Sequence, residues 1–232
     1  MCGRLNILDD EGVVALCEQL GLDLGGHFNP YQGRFIRATD TVTILLQTER
    51  GLHRVPATWW LLLEKHIQAD GTVKFKPSQY TSFNTRYDKL NVPRSAGYNS
   101  FRYKRCLILV KGFGETQKVG SDMQYTDFIA QSDECIALGG VYRVWQPGNV
   151  VSFSVITTPA HPKLEPYHRK ASPLMMPQDI GLLKTWLDPN EQNVAQFEPL
   201  LTPHLPQDLT VQPINKPSLY QPIAPSIQVS KD

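Results

Sequence analysis

The stretch that decides the fold is Cys135–Trp145, CIALGGVYRVW, followed by QPGN at Gln146–Asn149 and VVSFSVITTPA at Val150–Ala160. Two long apolar runs rich in β-branched residues, separated by a Pro-Gly turn, read as paired strands. Working outward, RCLILVKGFGET (Arg105–Thr116) reads as a buried strand entering a glycine-punctuated turn. TVTILLQ (Thr41–Gln47) and HRVPATWWLLL (His53–Leu63) read as further extended segments. Helical spacing of apolar residues appears at Asp9–Leu22, where an acidic start precedes Val13, Leu16, Cys17 and Leu20 and Gly21 follows. PQDIGLLKTWLD (Pro177–Asp188) reads as a capped amphipathic helix. Many strands and few helices predict an α+β fold: one domain over residues 1–232, with a mostly antiparallel β-sheet or barrel-like core. The proline-rich segment from about residue 205 to 232 is expected to run extended over the surface and to pair at most along an edge.

Composition narrows the function. Lys+Arg 23 against Asp+Glu 22 leaves a formal charge of +1, so a polyanion site has to come from local clustering. Four cysteines, Cys2, Cys17, Cys106 and Cys135, lack CxxC spacing, which argues against a zinc site or a disulfide framework. The six histidines show no paired spacing either. The longest apolar run, TWWLLLE, is too short to span a bilayer, and no secretory signal is visible. A soluble, cytoplasmic protein is expected.

The local clustering exists. Between Asn84 and Cys106, Arg86, Lys89, Arg94, Arg102, Lys104 and Arg105 interleave with Tyr87, Tyr98, Phe101 and Tyr103. Cations and flat rings together suit single-stranded nucleic acid, charge for phosphates and π-faces for bases; a solvated basic loop has the same composition. Glu115, after an apolar strand, is either a surface loop residue or a partly desolvated carboxyl suited to general-base work. His168 is a candidate proton shuttle or an ordinary loop histidine.

At the start of the chain, MCGR places Cys2 directly after the initiator. Removal of Met1 would leave an α-amine and a thiol on adjacent carbons.

Five segments, MCGR, NTR (Asn84–Arg86), SFRYKRCLILVKGFGE (Ser100–Glu115), ITTPAHPKLEPYHRK (Ile156–Lys170) and VQPINKP (Val211–Pro217), occur in one order. Together they resemble the SOS-response-associated peptidase (SRAP) family, also called abasic-site processing proteins. The family pattern has an aromatic residue where this chain has Gly114 and a tryptophan where it has Thr116. Its Arg-Tyr-Asn-X-Ala-Pro segment is replaced by RFIRATD (Arg34–Asp40), and its Arg-Met-Pro by Lys170–Pro173.

The resemblance implies an enzyme that binds single-stranded DNA at an abasic site and becomes covalently attached through Cys2. It implies catalytic roles for Cys2, Asn84, Glu115 and His168. It implies DNA contacts by Arg4, Arg86, Arg102 and Arg105, and stacking by Trp59, Trp60 and Phe101. No metal or organic cofactor, no membrane and a monomer are expected. Two other readings of the same residues are an N-terminal-nucleophile thiol peptidase or amidohydrolase, and a single-strand-binding module without chemistry.

Overall fold

The expected hairpin forms, with strands at Ile136–Trp145 and Val150–Thr158 joined through a turn containing a cis Gln146–Pro147 bond. The computed structural model of the chain describes residues 3–25, 29–131 and 133–232. Its strands, in chain order, are β1 (Arg4–Ile7), β2 (Gly33–Arg37), β3 (Thr41–Thr48), β4 (Gly51–Trp59), β5 (Leu63–Ile67), β6 (Val73–Pro77), β7 (Asn84–Arg86), β8 (Arg105–Val110), β9 (Gly112–Val119), β10 (Asp122–Ala130), β11 (Ile136–Trp145), β12 (Val150–Thr158), β13 (Ser172–Pro173), β14 (Leu209–Ile214) and β15 (Ile227–Val229). The helices are α1 (Glu11–Leu20), α2 (Tyr98–Tyr103) and α3 (Ile180–Leu187), with 3₁₀ turns at Tyr87–Lys89 and Val194–Leu201.

Five strands close on themselves in the order β11-β8-β3-β4-β12, with β12 returning to β11. The closed sheet is mixed: β12 runs parallel to β4 and to the short β7, and antiparallel to β11 and β13. A second sheet, in the order β15-β14-β10-β9-β1-β2, is antiparallel throughout. The β5–β6 hairpin forms a third, two-stranded sheet of its own.

Why β8 reads as an unbroken apolar run is now clear: both its faces are covered. Cys106, Ile108 and Val110 point into the barrel with Trp59, Phe153 and Val155. Leu107 and Leu109 point outward, under Val13, Leu16 and Leu20 of α1 and Leu183 and Trp186 of α3. The second sheet closes over the barrel interior with Leu5, Phe113, Phe128 and Val211. Asp10 caps α1 through Val13 N, and Gly21 ends it with φ +92°, a conformation that costs a residue with a Cβ. Cys17, Cys106 and Cys135 are free and buried, and burial raises each thiol well above its usual range.

The C-terminal expectation needs correction. β14 lies inside the second sheet, between β10 and β15, and its Leu209 and Val211 are fully buried. Its single proline, Pro213, sits opposite Thr126 near the strand's end, so the other residues supply the ladder and the core contacts. The expected turn after β8 is also absent. Only Lys111 separates β8 from β9, and Glu115 sits in mid-strand.

Candidate active site and strand groove

Alternation along β9 sends Phe113 and Glu115 to the inner face of the second sheet. Glu115 is 2% exposed, and burial lifts its carboxyl to about 7. β1 runs beside it: Arg4 is paired with Gly114, and Gly3 N donates to Gly114 O at 3.4 Å. The backbone at the start of the described chain therefore lies along the strand that carries Glu115. Cys2 lies outside the described residues.

His168 reaches the same place from a compact turn. His161 O accepts from Leu164 N, Leu164 O accepts from His168 N, and the Leu164 side chain is sunk in the core. Tyr167 packs edge-on to Phe128 at 6.1 Å, and Arg169 N donates to Gln117 Oε1 at 3.0 Å, which fastens the turn to β9. His168 Nε2 stands 3.6 Å from Glu115 Oε2. Burial, aided by the charge of Lys170, lowers the imidazole to about 4. The usual order of the two groups is inverted. Near neutral pH the carboxyl holds a proton much of the time while the imidazole is neutral, so the pair can give and take a proton without forming a buried ion pair.

Asn84 is set by the parallel pairing of β7 with β12, in which Val155 faces Asn84 and Thr157 faces Arg86. Thr85 points to the other side, where its hydroxyl meets Ser154 Oγ at 2.6 Å. Asn84 and Arg86 thus share one face with the buried Thr157, whose Oγ1 has no hydrogen-bond partner among the described residues. A groove of about 790 Å³ opens along β7, lined by Tyr80, Phe83, Asn84, Arg86, Lys89, Arg94 and Arg143 among others. The Arg86 side chain is 63% exposed and held in bidentate fashion by Asp88 at 3.0 and 2.9 Å.

Four expected DNA contacts are placed elsewhere. Arg4 points to the outer face of the second sheet, where Nη2 bonds Asp127 Oδ1 at 2.6 Å. Gly114 lies between them in the row Arg4–Gly114–Asp127; a Cβ there would sit 2.2 Å from Arg4 Nη2. The glycine in place of the family's aromatic residue is what lets Arg4 cross β9, and Arg4 Nη1 also meets the hydroxyl of Thr116 at 3.4 Å. Trp59 is fully buried, stacked on Phe153, and its Nε1 donates to Phe83 O at 2.8 Å, so it braces the strand ahead of Asn84 instead of offering a ring. Phe101 is fully buried between Trp186 and Phe197. Arg105 is 2% exposed and donates to five backbone carbonyls, those of Phe101, Arg102, Trp186, Asp188 and Glu191. It ties the ends of α2 and α3 together, and its guanidinium is pulled down to about 10 by burial.

Two expected contacts are half-buried. Trp60 lies against Phe83 with ring centroids 5.8 Å apart. Arg102 stacks 3.7 Å over Tyr98 and holds Leu90 O and Asn91 Oδ1, so it secures the loop that forms the groove's far wall. Sequence reasoning missed Arg143, Tyr80 and Asp127; Asp127, a lone acid inside the apolar run YTDFIA, was the one with a visible signal. Among the described residues no cluster of His, Cys, Asp and Glu could hold a metal ion, and no helix is long and apolar enough to cross a membrane.

A closed mixed barrel capped by an antiparallel sheet, with a buried carboxyl–imidazole pair and a basic groove along β7, is the class of protein this geometry defines. The chain belongs to the SOS response associated peptidase (SRAP) family, whose model matches residues 1–217. That membership ties the protein to the response to DNA damage. Solved structures share the fold. A Bordetella bronchiseptica protein superposes with a TM-score of 0.69 at 14% identity, covering 93% of this chain and 100% of that one. A phage-related protein from the same organism gives 0.64 at 14% identity, covering 93% and 95%. A Bacteroides thetaiotaomicron protein gives 0.63 at 15% identity, covering 92% and 93%. No curated protein matches the chain.

Proposed function

We propose that this protein captures abasic sites in single-stranded DNA by joining them covalently to Cys2, acting as a monomer in the cytoplasm without a cofactor. The observation that carries the reading is the buried Glu115–His168 pair beside the strand that leads back to Gly3. Cys2 is the next residue in the sequence.

Removal of Met1 creates the only 1,2-aminothiol the chain can have. An α-amine with a pKa of about 7.7–8.0 is partly neutral at physiological pH, whereas a lysine near 10.4 is not. The amine adds to the C1′ aldehyde of the opened sugar, and loss of water gives an imine. The thiol then adds to the imine carbon and its proton passes to the nitrogen, closing a five-membered thiazolidine. Closure is intramolecular and so strongly favoured. The ring removes the iminium that would promote strand cleavage.

Each proton movement has a carrier. Glu115, lifted to about 7, is the better acid and base. It protonates the sugar oxygen on ring opening and the departing hydroxyl on imine formation, and it takes the thiol proton. His168, lowered to about 4, stays neutral and orients the sugar by hydrogen bonding. Asn84 holds the amine or the sugar from β7. Arg86, Lys89 and Arg94 receive phosphates, with Trp60 as the stacking ring at the groove's edge.

The test is incubation with abasic single-stranded oligonucleotide, read by denaturing gel and intact mass. The expected product has lost Met1 and gained the mass of the DNA less water. Cys2→Ala should abolish it, and Cys2→Ser should leave at most a labile adduct. Crosslinking by Cys2→Ala at the unaltered protein's yield would sink the reading.

A further inference from the structure

Charge in this nearly neutral chain is segregated. Residues 62–106 carry nine Lys and Arg against three Asp and Glu, while the remainder carries 14 against 19. Arg102 and Arg105 are engaged on backbone carbonyls and Arg86 on Asp88, and of the other cations of this stretch Lys89 and Arg94 line the groove. The groove along β7 does not account for all of them.

Arg143 lines two cavities. One is the groove along β7; the other, of about 280 Å³, lies between Tyr103 and Lys104 at the end of α2 and Trp145 at the end of β11. Its guanidinium is held in place by Ala96 O at 2.6 Å and lies 5.9 Å from the Trp145 ring centre. Among the described residues no carboxylate forms a salt bridge with it, and burial depresses its pKa. A half-buried cation without an acidic partner, shared by two cavities, suits a bridging anion.

The rings on the far side are prepared. Trp145 Nε1 donates to Ser152 Oγ at 2.8 Å, and Phe75 of the β5–β6 hairpin packs against the indole at 6.0 Å. Tyr103 is 45% exposed beside Lys104.

We infer that a single-stranded polynucleotide continues from the β7 groove across Arg143 into this second cavity. There Lys104 receives a phosphate, and the Tyr103 and Trp145 rings stack bases. This rests on the reading of the site given above and extends it: the protein grips a strand well beyond the lesion.

The test is binding of abasic oligonucleotides of about 5 and about 15 nucleotides, lengths that bracket single-strand site sizes. It uses the full chain and the double variant Tyr103→Ala/Lys104→Ala, with thermal unfolding as a check on the fold. The variant should bind the long strand roughly tenfold more weakly, the scale of one lost stacking contact. It should also show a shallower salt dependence, by about 0.7 in slope for one lost phosphate contact. The short strand is the reference that should not distinguish the two proteins. Lys104→Glu should weaken long-strand binding further. Equal long-strand affinity and salt slope for variant and unaltered protein overturn the second cavity's role. Failure of the unaltered protein to bind either length overturns the underlying reading instead.

Discussion

Arg4 Nη2 and Asp127 Oδ1 meet at 2.6 Å across the Cα of Gly114, linking β1 to β10 over the strand that carries Glu115. Both side chains are more than nine-tenths buried. Breaking such a pair from one side leaves an uncompensated buried charge, at about 3–5 kcal/mol. Asp127→Ala is therefore expected to lower the unfolding free energy measured in urea by that amount. Arg4→Met/Asp127→Leu, which replaces both charges by apolar groups, should recover most of the loss. If the double replacement is as unstable as Asp127→Ala, the pair's geometry is not what stabilises β1.

Glu115 gives stability a defined pH signature. Its folded value, about 7, lies above the ordinary 4.5, so its contribution is fully present below pH 4.5 and is lost as pH rises to about 7. His168 acts in the opposite sense: its folded value, about 4, lies below 6.5, so its contribution is present above 6.5 and lost as pH falls towards 4. Glu115→Gln removes only the first effect. Relative to the unaltered protein it should gain stability between pH 4.5 and 7, on the order of 3 kcal/mol, with no further change at higher pH. A pH-independent difference between the two unfolding curves would contradict this.

Arg86 and Arg105 should separate binding from folding. Arg86→Ala removes an exposed side chain and should leave the melting temperature within a degree or two. It should reduce the salt slope of single-strand binding by about 0.7. Arg105→Ala strands five carbonyls at the ends of α2 and α3 and should cost roughly 3–5 kcal/mol. Arg105→Lys should not rescue it, because an ammonium cannot reproduce the fork. Comparable melting temperatures for Arg86→Ala and Arg105→Ala would refute the assignment.

Deleting residues 206–232 should abolish cooperative unfolding. The cut removes Leu209, Val211 and Ile214 from the core and leaves β10 as an unpaired edge. A truncated chain that keeps a sharp thermal transition would show that β14 is dispensable.

The local features were legible in the sequence. The 135–160 hairpin, α1 with its Asp and Gly ends and α3 are set by patterns within a dozen residues. The side-chain assignments that failed depend on partners far along the chain. Trp59 and Trp60 are adjacent and chemically alike, yet only the pleat of β4 decides that the first is fully buried. Arg105 looks like a phosphate contact until the end of α3, some eighty residues away, supplies its carbonyls. Prolines made β14 look like a surface tail because one proline in a strand is invisible to a count of prolines. Glu115 and His168 were singled out by motif, but the contact between them and the inversion of their proton affinities come from burial, which the sequence does not display.

The second sheet gathers strands from both halves of the chain: β1 is hydrogen-bonded to β9, and Arg4 reaches a carbonyl 122 residues further on. A nascent chain on the ribosome exposes its first residues long before those partners are made. The Glu115–His168 contact needs residues from β9 and from the turn after β12, so a half-synthesised chain cannot contain it. The order of translation therefore delays the meeting of Glu115 with His168 until most of the protein has emerged.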